Sequence, residues 1–100
     1  MKLDGMSEIT VVHQPEQSRY ELHVDGRLAG FVRYRPHADH VEFLHTEVDP
    51  EFEGQGLGSR LAAGALDDVR ASGGRATATC PFIAAYVKRH PEYEDVIVPD

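Results

Sequence analysis

Between positions 53 and 59 the chain reads Glu53-Gly54-Gln55-Gly56-Leu57-Gly58-Ser59, three alternating glycines at the start of an apolar helical stripe. Where Cβ atoms are absent, backbone N–H groups can converge, and a helix behind them adds unpaired donors and the positive end of its dipole. That is the chemistry of a diphosphate cradle. Two nucleotide versions of it do not fit. A triphosphatase loop ends in Gly-Lys-Ser/Thr, whereas Gly58-Ser59-Arg60 has no lysine. A dinucleotide fingerprint wants glycine where Ser59 stands and follows the first strand of a long βαβ array.

Other residues have types suited to proton or group transfer. His45 and Glu47 lie two apart in a strand-like run and so share a side, where either can take a proton from an ammonium group; the plainer reading is two polar residues facing solvent. The single cysteine, Cys80, stands just before Pro81 at the expected start of a helix, where a helix dipole favours thiolate. It reads either as a reactive thiol or as a small buried filler of a strand-to-helix corner. Six histidines invite a metal reading, but a regular strand sends His40 and His45 to opposite faces and no helical His pair has spacing four, so no metal site is expected.

The elements that must position these groups follow from hydrophobic period. Ile9 and Val11 alternate in a first strand over 8–13, broken by Gln14-Pro15-Glu16. Tyr20, Leu22 and Val24 form a second strand, Asp25-Gly26 a tight hairpin turn, and Leu28, Gly30, Val32 and Tyr34 the return strand. In the fourth strand, 40–48, the apolar phase slips from Val41 and Phe43 to Leu44, Thr46 and Val48, which means either a strand covered on both faces or, the reading favoured, a bulge near Phe43 to His45. Leu57, Leu61, Ala65 and Val69, reinforced by Ala62 and Leu66, predict a helix to about Ala71, with Gly64 packed closely on the sheet and Ser72-Gly73-Gly74 as its stop. Residues 75–79 form a short fifth strand, parallel to the fourth because a helix connects them. Pro81 opens a second helix ending near Arg89 before His90-Pro91, and Val96-Ile97-Val98 reads as an edge strand.

Composition bounds the rest. One hundred residues at 41% hydrophobic make a single domain, 1–100. Seventeen acidic against ten basic side chains give a net charge of -7, the wrong sign for tracking nucleic acid. No apolar run approaches the roughly 20 residues of a membrane span. The N-terminal residues carry no apolar secretory stretch, so the chain is expected to be soluble and cytoplasmic, as a monomer or homodimer. A lone cysteine forms no internal disulfide.

The loop resembles the acyl-coenzyme A (CoA) loop of the GNAT acetyltransferases, Q/R-x-x-G-x-G/A, with Glu53, Gly56 and Gly58 in the named positions and glutamate in place of Gln or Arg. Tyr86-Val87-Lys88-Arg89-His90 is similar to the Y-x-K-x-G-F/Y end of the helix after strand five, with His90-Pro91-Glu92-Tyr93 replacing its glycine-aromatic close. More narrowly, His45-Thr46-Glu47-Val48, Gly54 to Ser59, Cys80-Pro81-Phe82 and His90 to Tyr93 look like the minimal GNAT-like proteins. The resemblance implies an α/β fold: a mixed, mostly antiparallel sheet flanked by two helices, with strands four and five parallel and splayed.

It also implies acetyl-CoA as co-substrate and N-acetyl transfer to an unidentified amine or protein lysine, or else a catalytically silent CoA-binding or protein-interaction module. The amides of Gln55, Gly56, Leu57, Gly58 and Ser59 would hold the diphosphate. The backbone at Glu47 and Val48 would pair with the pantetheine arm, whose amides need partners. Glu47 or His45 would accept the amine proton. Cys80 would carry the acyl group or protonate the departing thiolate, and Tyr86 would be the family's proton donor to sulfur or an ordinary half-buried aromatic. Family members carry helix between their first two strands; Gln14-Pro15-Glu16-Gln17 leaves no room for it, so the acceptor site is expected to be shallow, shared with a partner subunit, or absent.

Overall fold

A computed structural model describes residues 7–98. Alternation builds the first half into four antiparallel strands, β1 (Ile9–Gln14), β2 (Arg19–Val24), β3 (Arg27–Pro36) and β4 (Val41–Val48). A single 3-10 turn, Pro15–Gln17, joins β1 to β2, with no longer helix between them. Asp25 and Gly26 take φ of 50° and 82°, the left-handed pair that a two-residue hairpin needs to match strand twist. The second half supplies α1 (Leu57–Ala71), a three-residue β5 (Ala76–Ala78) and α2 (Pro81–Arg89). Strand order is β1-β2-β3-β4-β5, with β5 parallel to β4.

Two bulges set which residues face which way. On β4, Arg33 pairs with His45 and Tyr34 with Phe43, so Leu44 is the inserted residue. The insertion keeps Phe43 and Thr46 on the helix-covered face and turns His45 and Glu47 to the open face, as the slipped apolar phase predicts. The second bulge overturns part of the expected alternation. Leu22 pairs with Gly30 and His23 with Leu28, which leaves Ala29 as the extra residue on β3. Ala29 is buried at 1% exposure, while Leu28 leaves the face of Gly30, Val32 and Tyr34 and stands 46% exposed. Since Ala29 is itself apolar, hydropathy alone gave no sign of the insertion.

The core lies between α1 and the sheet. Leu57, Leu61, Ala62, Ala65, Leu66 and Val69 are all buried, against Tyr20, Leu22, Val24, Val32 and Phe43. Gly64 is where α1 comes closest to β1: a Cβ there would lie 2.6 Å from Val11 Cγ2. Val96-Ile97-Val98 lies along the outer side of β5 but forms one parallel bridge, Ala76 with Ile97, rather than the full edge strand expected. Asp68 on α1 accepts from the Tyr20 hydroxyl at 2.6 Å, and burial with this carboxylate pushes the Tyr20 phenol up. The Tyr34 hydroxyl meets His13 Nε2 at 2.6 Å, so polar contacts also tie β1 to β3.

On the open face, Glu21 is 5% exposed although no helix covers it. His23 at 2.9 Å and Arg19 at 2.7 Å hold its carboxyl below the usual carboxylate value, with Gln14 adding a weaker bond at 3.4 Å. A depressed folded-state pKa stabilises the fold above the unfolded value of 4.5 and loses that contribution as pH falls through the folded value. Glu21→Gln is therefore expected to flatten the acid limb of stability below pH 4.5, measured by urea unfolding at stepped pH. Gly64→Ala is expected to cost about 1–3 kcal/mol by overpacking. Pairing it with Val11→Ala restores part of that loss, read by denaturant midpoints as a double-mutant cycle.

Candidate active site

β4 runs from Val41 to Val48, but β5 pairs with it only through Val41, Glu42 and Phe43. The last link is the Cys80 N–H donating to the Phe43 carbonyl at 2.8 Å. Pro81, at the first position of α2, then turns the chain away from the sheet. Among the described residues, the outer edge of β4 from Leu44 to Val48 has no strand partner, so a wedge opens there.

The glycine loop sits at the mouth of this wedge. Gly54 and Gly56 have φ of 80° and 72°, and a Cβ on either would meet nothing within 4 Å, so the loop is open on that side. Gly56 caps α1, and no side-chain hydrogen bond closes the cap. The first helical hydrogen bond is Arg60 N–H to the Gly56 carbonyl at 3.3 Å, which leaves the amides of Leu57, Gly58 and Ser59 ahead of the helical ladder. No acidic residue lies in the first turn of α1. Half-buried Gln55 bridges the two left-handed glycines.

Gly58 has a different role from its neighbours. Its φ is helical, and a Cβ there would lie 2.8 Å from Cζ of Phe82 in the first turn of α2. The missing side chain lets the N-termini of both helices meet at one corner, so two dipoles present their positive ends together. Phe82 is 37% exposed over that contact. In the sequence it stands in the Cys80-Pro81-Phe82 run that carries the resemblance, without a role of its own; the signal was an aromatic immediately after the Pro81 that starts a helix.

Cys80 is the N-cap of α2 and is 2% exposed. Its Sγ lies 3.3 Å from the Thr46 hydroxyl, a hydrogen bond joining the thiol to the free half of β4. Thr46 belongs to the His45-Thr46-Glu47-Val48 run that carries the resemblance, but had no role of its own there between the more conspicuous His45 and Glu47. Those two share the open face, with Nε2 to Oε2 at 3.4 Å, both more than half exposed. The structure thus gathers Glu47, Val48, Thr46 and Cys80 along the wedge, with His45 beside Glu47.

Tyr86 is placed elsewhere. It is buried at the far end of α2, stacked on His90 at 4.2 Å between ring centroids, and its hydroxyl shares a hydrogen bond with Tyr93. Tyr93 in turn donates to Asp67 on α1 at 2.8 Å. Burial, with the Glu92 and Asp67 carboxylates, pushes the Tyr86 phenol up. His90 terminates α2 as its C-cap. The three histidines considered for a metal do not converge: His37 and His40 stack on each other at 4.5 Å and His45 faces Glu47.

A wedge between parallel strands, a capless glycine-rich helix start and a cysteine at the second helix cap define a GNAT-type acyl-transferase scaffold. Residues 19–96 match the profile described as GCN5-related N-acetyl-transferase, and the chain belongs to that family. It is 32% identical over 92 residues to Protein NATD1 of Xenopus tropicalis, covering 89% of this chain and 84% of that protein. Against human Protein NATD1 the match is 41% over 51 residues, 51% of this chain and 45% of the other. Two solved structures share the fold. A GCN5-like protein from Staphylococcus aureus, determined by NMR, superposes with a TM-score of 0.68 at 21% identity over 95% of this chain and 93% of its own. A ribosomal-protein-alanine N-acetyltransferase from Brucella melitensis gives 0.56 at 18% identity over 82% and 62%.

Buried behind Thr46, native Cys80 is expected to react with a disulfide reagent at least about tenfold more slowly than in denaturant, because modification awaits local opening. Thr46→Ala should speed it. Stopped-flow labelling checks both, and native labelling as fast as in the unfolded chain contradicts the placement.

Proposed function

We propose that the protein binds acetyl-CoA and transfers its acetyl group to an amine. One observation carries this reading: the start of α1, without a side-chain cap bond, meets the first turn of α2 at Gly58 and Phe82, beside the Cys80 cap that bonds Thr46. A diphosphate suits that corner because two helix N-termini supply fixed donors and partial positive charge. Glu53, where the family pattern has Gln or Arg, is exposed on the loop and leaves the main-chain donors in place. The open edge of β4 at Glu47 and Val48 offers main-chain partners for an extended amide-bearing arm. The co-substrate supplies an activated acyl carbon; the chain binds it, orients it and manages protons. A cytoplasmic location follows from this use of acetyl-CoA as part of the same proposal.

Glu47, with His45 beside it, takes the proton that an ammonium must lose before its nitrogen can attack. As the nitrogen bonds to the acyl carbon and the carbon–sulfur bond breaks, Cys80, which the Thr46 hydroxyl holds at the wedge, gives its proton to the departing thiolate and is reprotonated by the second proton that the acylated nitrogen sheds. We assign Tyr86 to supporting α2, since its hydroxyl is engaged with Tyr93 at the other end of that helix. Two alternatives remain distinct in their products. Acyl transfer onto Cys80 leaves an acetyl thioester on the protein, and a silent CoA-binding module leaves none and turns nothing over. The silent reading draws on the lack of helix between β1 and β2 and on the 2% exposure of Cys80.

At CoA a hundredfold above its Kd, the fold is expected to gain about 2.7 kcal/mol, raising Tm by roughly 10–20 °C for a domain of this size. Ser59→Asp is the sharpest control. A carboxylate in the first turn suits the helix dipole and leaves apo Tm unchanged or higher, while it repels a diphosphate and cancels the CoA shift. No shift for the unaltered protein sinks the proposal. Turnover is read as thiol release with a mixed amine pool, where Glu47→Gln should lose about 10²–10⁴-fold. An acetyl adduct on Cys80 in intact mass would replace direct transfer by the two-step route.

A further inference from the structure

The sheet has two edges, and they are treated differently. On the outer side of β5 the Ala76 N–H donates to the Val96 carbonyl and the Val98 N–H donates to the Ala76 carbonyl, so that edge is covered by the chain itself. At the other end of the strand order stands β1, and among the described residues no strand pairs with its outer side. The usual guards of an open edge are missing: Ile9-Thr10-Val11-Val12-His13-Gln14 holds no lysine, no proline and no break in its register with β2. In a chain of net charge -7, this strand carries no Asp, Glu, Lys or Arg. His13 turns its ring inward, with Nε2 2.6 Å from the Tyr34 hydroxyl and Nδ1 3.6 Å from an Asp68 oxygen. Val12, in the middle of the strand, is 36% exposed.

The register decides which main-chain groups face outward. The Asp25 N–H donates to the Glu8 carbonyl at 2.8 Å, and β1 and β2 keep that register as far as Gln14 and Arg19. Bonded and non-bonded pairs alternate along antiparallel strands, so Thr10, Val12 and Gln14 engage β2, while Ile9, Val11 and His13 turn their N–H and C=O groups to the open edge. The Tyr34 N–H donating to the Ser18 carbonyl at 2.9 Å gives the same phase from the far side of β2. These outward residues are spaced evenly about Val11. An antiparallel second copy with Val11 on the twofold axis sets Ile9 against His13 and Val11 against itself, and every outward group meets a partner. Neighbouring axes fail: one at Ile9 sets Val11 against Ser7, outside the strand, and one at His13 sets it against Pro15, which has no N–H. In the Val11 register Thr10 faces Val12 and Glu8 faces Gln14, so no like charges oppose each other.

We propose that β1 is a self-association edge, through which two copies pair antiparallel at Ile9, Val11 and His13 into a homodimer with one continuous sheet. The assembly closes at two because both partners use the same strand and the outer side of β5 is already covered. Beside β1, on the helix side, lies a groove of about 290 Å³ lined by Val11, His13, Tyr20, Gly64, Asp67 and Asp68. The partner's Ile9, opposite His13, comes to lie on that side. The wedge along β4 is separated from β1 by β2 and β3, so pairing leaves it open. The inference is independent of the acetyl-transfer reading.

The test follows the full chain and two double variants by sedimentation and by amide hydrogen exchange, at concentrations up to about 1 mM. The unaltered chain is expected to pass reversibly from monomer to dimer, with exchange protection rising with concentration at the Ile9, Val11 and His13 amides and not at Thr10 or Val12. Thr10→Lys with Val12→Lys, both at exposed positions, sets lysines against each other across the pair and should weaken the dimer at least about tenfold. In the monomer the second of these changes places a cation beside Glu21, its neighbour on β2, so the fold is kept. Thr10→Glu with Val12→Lys sets opposite charges at the same pairs and should restore association. A chain that stays monomeric throughout, a dimer indifferent to the paired lysines, failure of the Glu and Lys combination to restore it, or protection gained at other amides instead would overturn the proposal. A dimer that meets these tests without any CoA response at Gly56 to Ser59 would uphold it and sink the diphosphate reading alone.

Discussion

At Phe43 two parallel strands stop pairing, and the rest of the site depends on that separation. The Cys80 N–H takes the Phe43 carbonyl, and Pro81 then commits the chain to a helix that cannot follow the sheet. Backbone groups beyond that point need partners from somewhere, since unpaired main-chain donors and acceptors are costly once water is excluded. The same departure brings the cap of α2 beside the start of α1. A thiol, an open strand edge and two positive helix ends meet because one hydrogen-bonded ladder ends after three pairs.

Close approach is arranged by omission. Gly58 admits the Phe82 ring and Gly64 admits Val11, so α1 lies close to α2 at its start and to β1 along its middle. Bulges complete the positioning by inserting single residues. Leu44 sends Thr46 inward and Glu47 outward, placing the thiol's partner and that carboxylate on opposite faces of one strand. Ala29 turns Leu28 out onto the face that carries Phe31 and Glu47.

Much of this was legible before coordinates. Alternation marked four strands, the slip at Phe43 marked the β4 bulge, and a glycine in an apolar helix stripe marked close packing at Gly64. Those features leave a period or a residue type out of place. The Ala29 bulge left neither, because a small apolar residue fits both phases. Val96 to Val98 looked like a strand by composition, and the segment does lie along β5, but as a single bridge to Ala76. Within the site, main-chain donors followed from the glycines, whereas Thr46 and Phe82 matter through contacts across the fold, which no local pattern encodes. Tyr86 matched a family position, but its hydroxyl turns toward Tyr93, a partner that enters only after the second helix ends.

The most direct check is a crystal structure of the protein with CoA. The account predicts diphosphate oxygens about 2.9 Å from main-chain nitrogens between Gly56 and Ser59, with the pantetheine arm along the unpaired edge from Leu44 to Val48. A diphosphate bound elsewhere on the surface, or loop amides turned onto the protein's own carbonyls with the wedge closed, would contradict it.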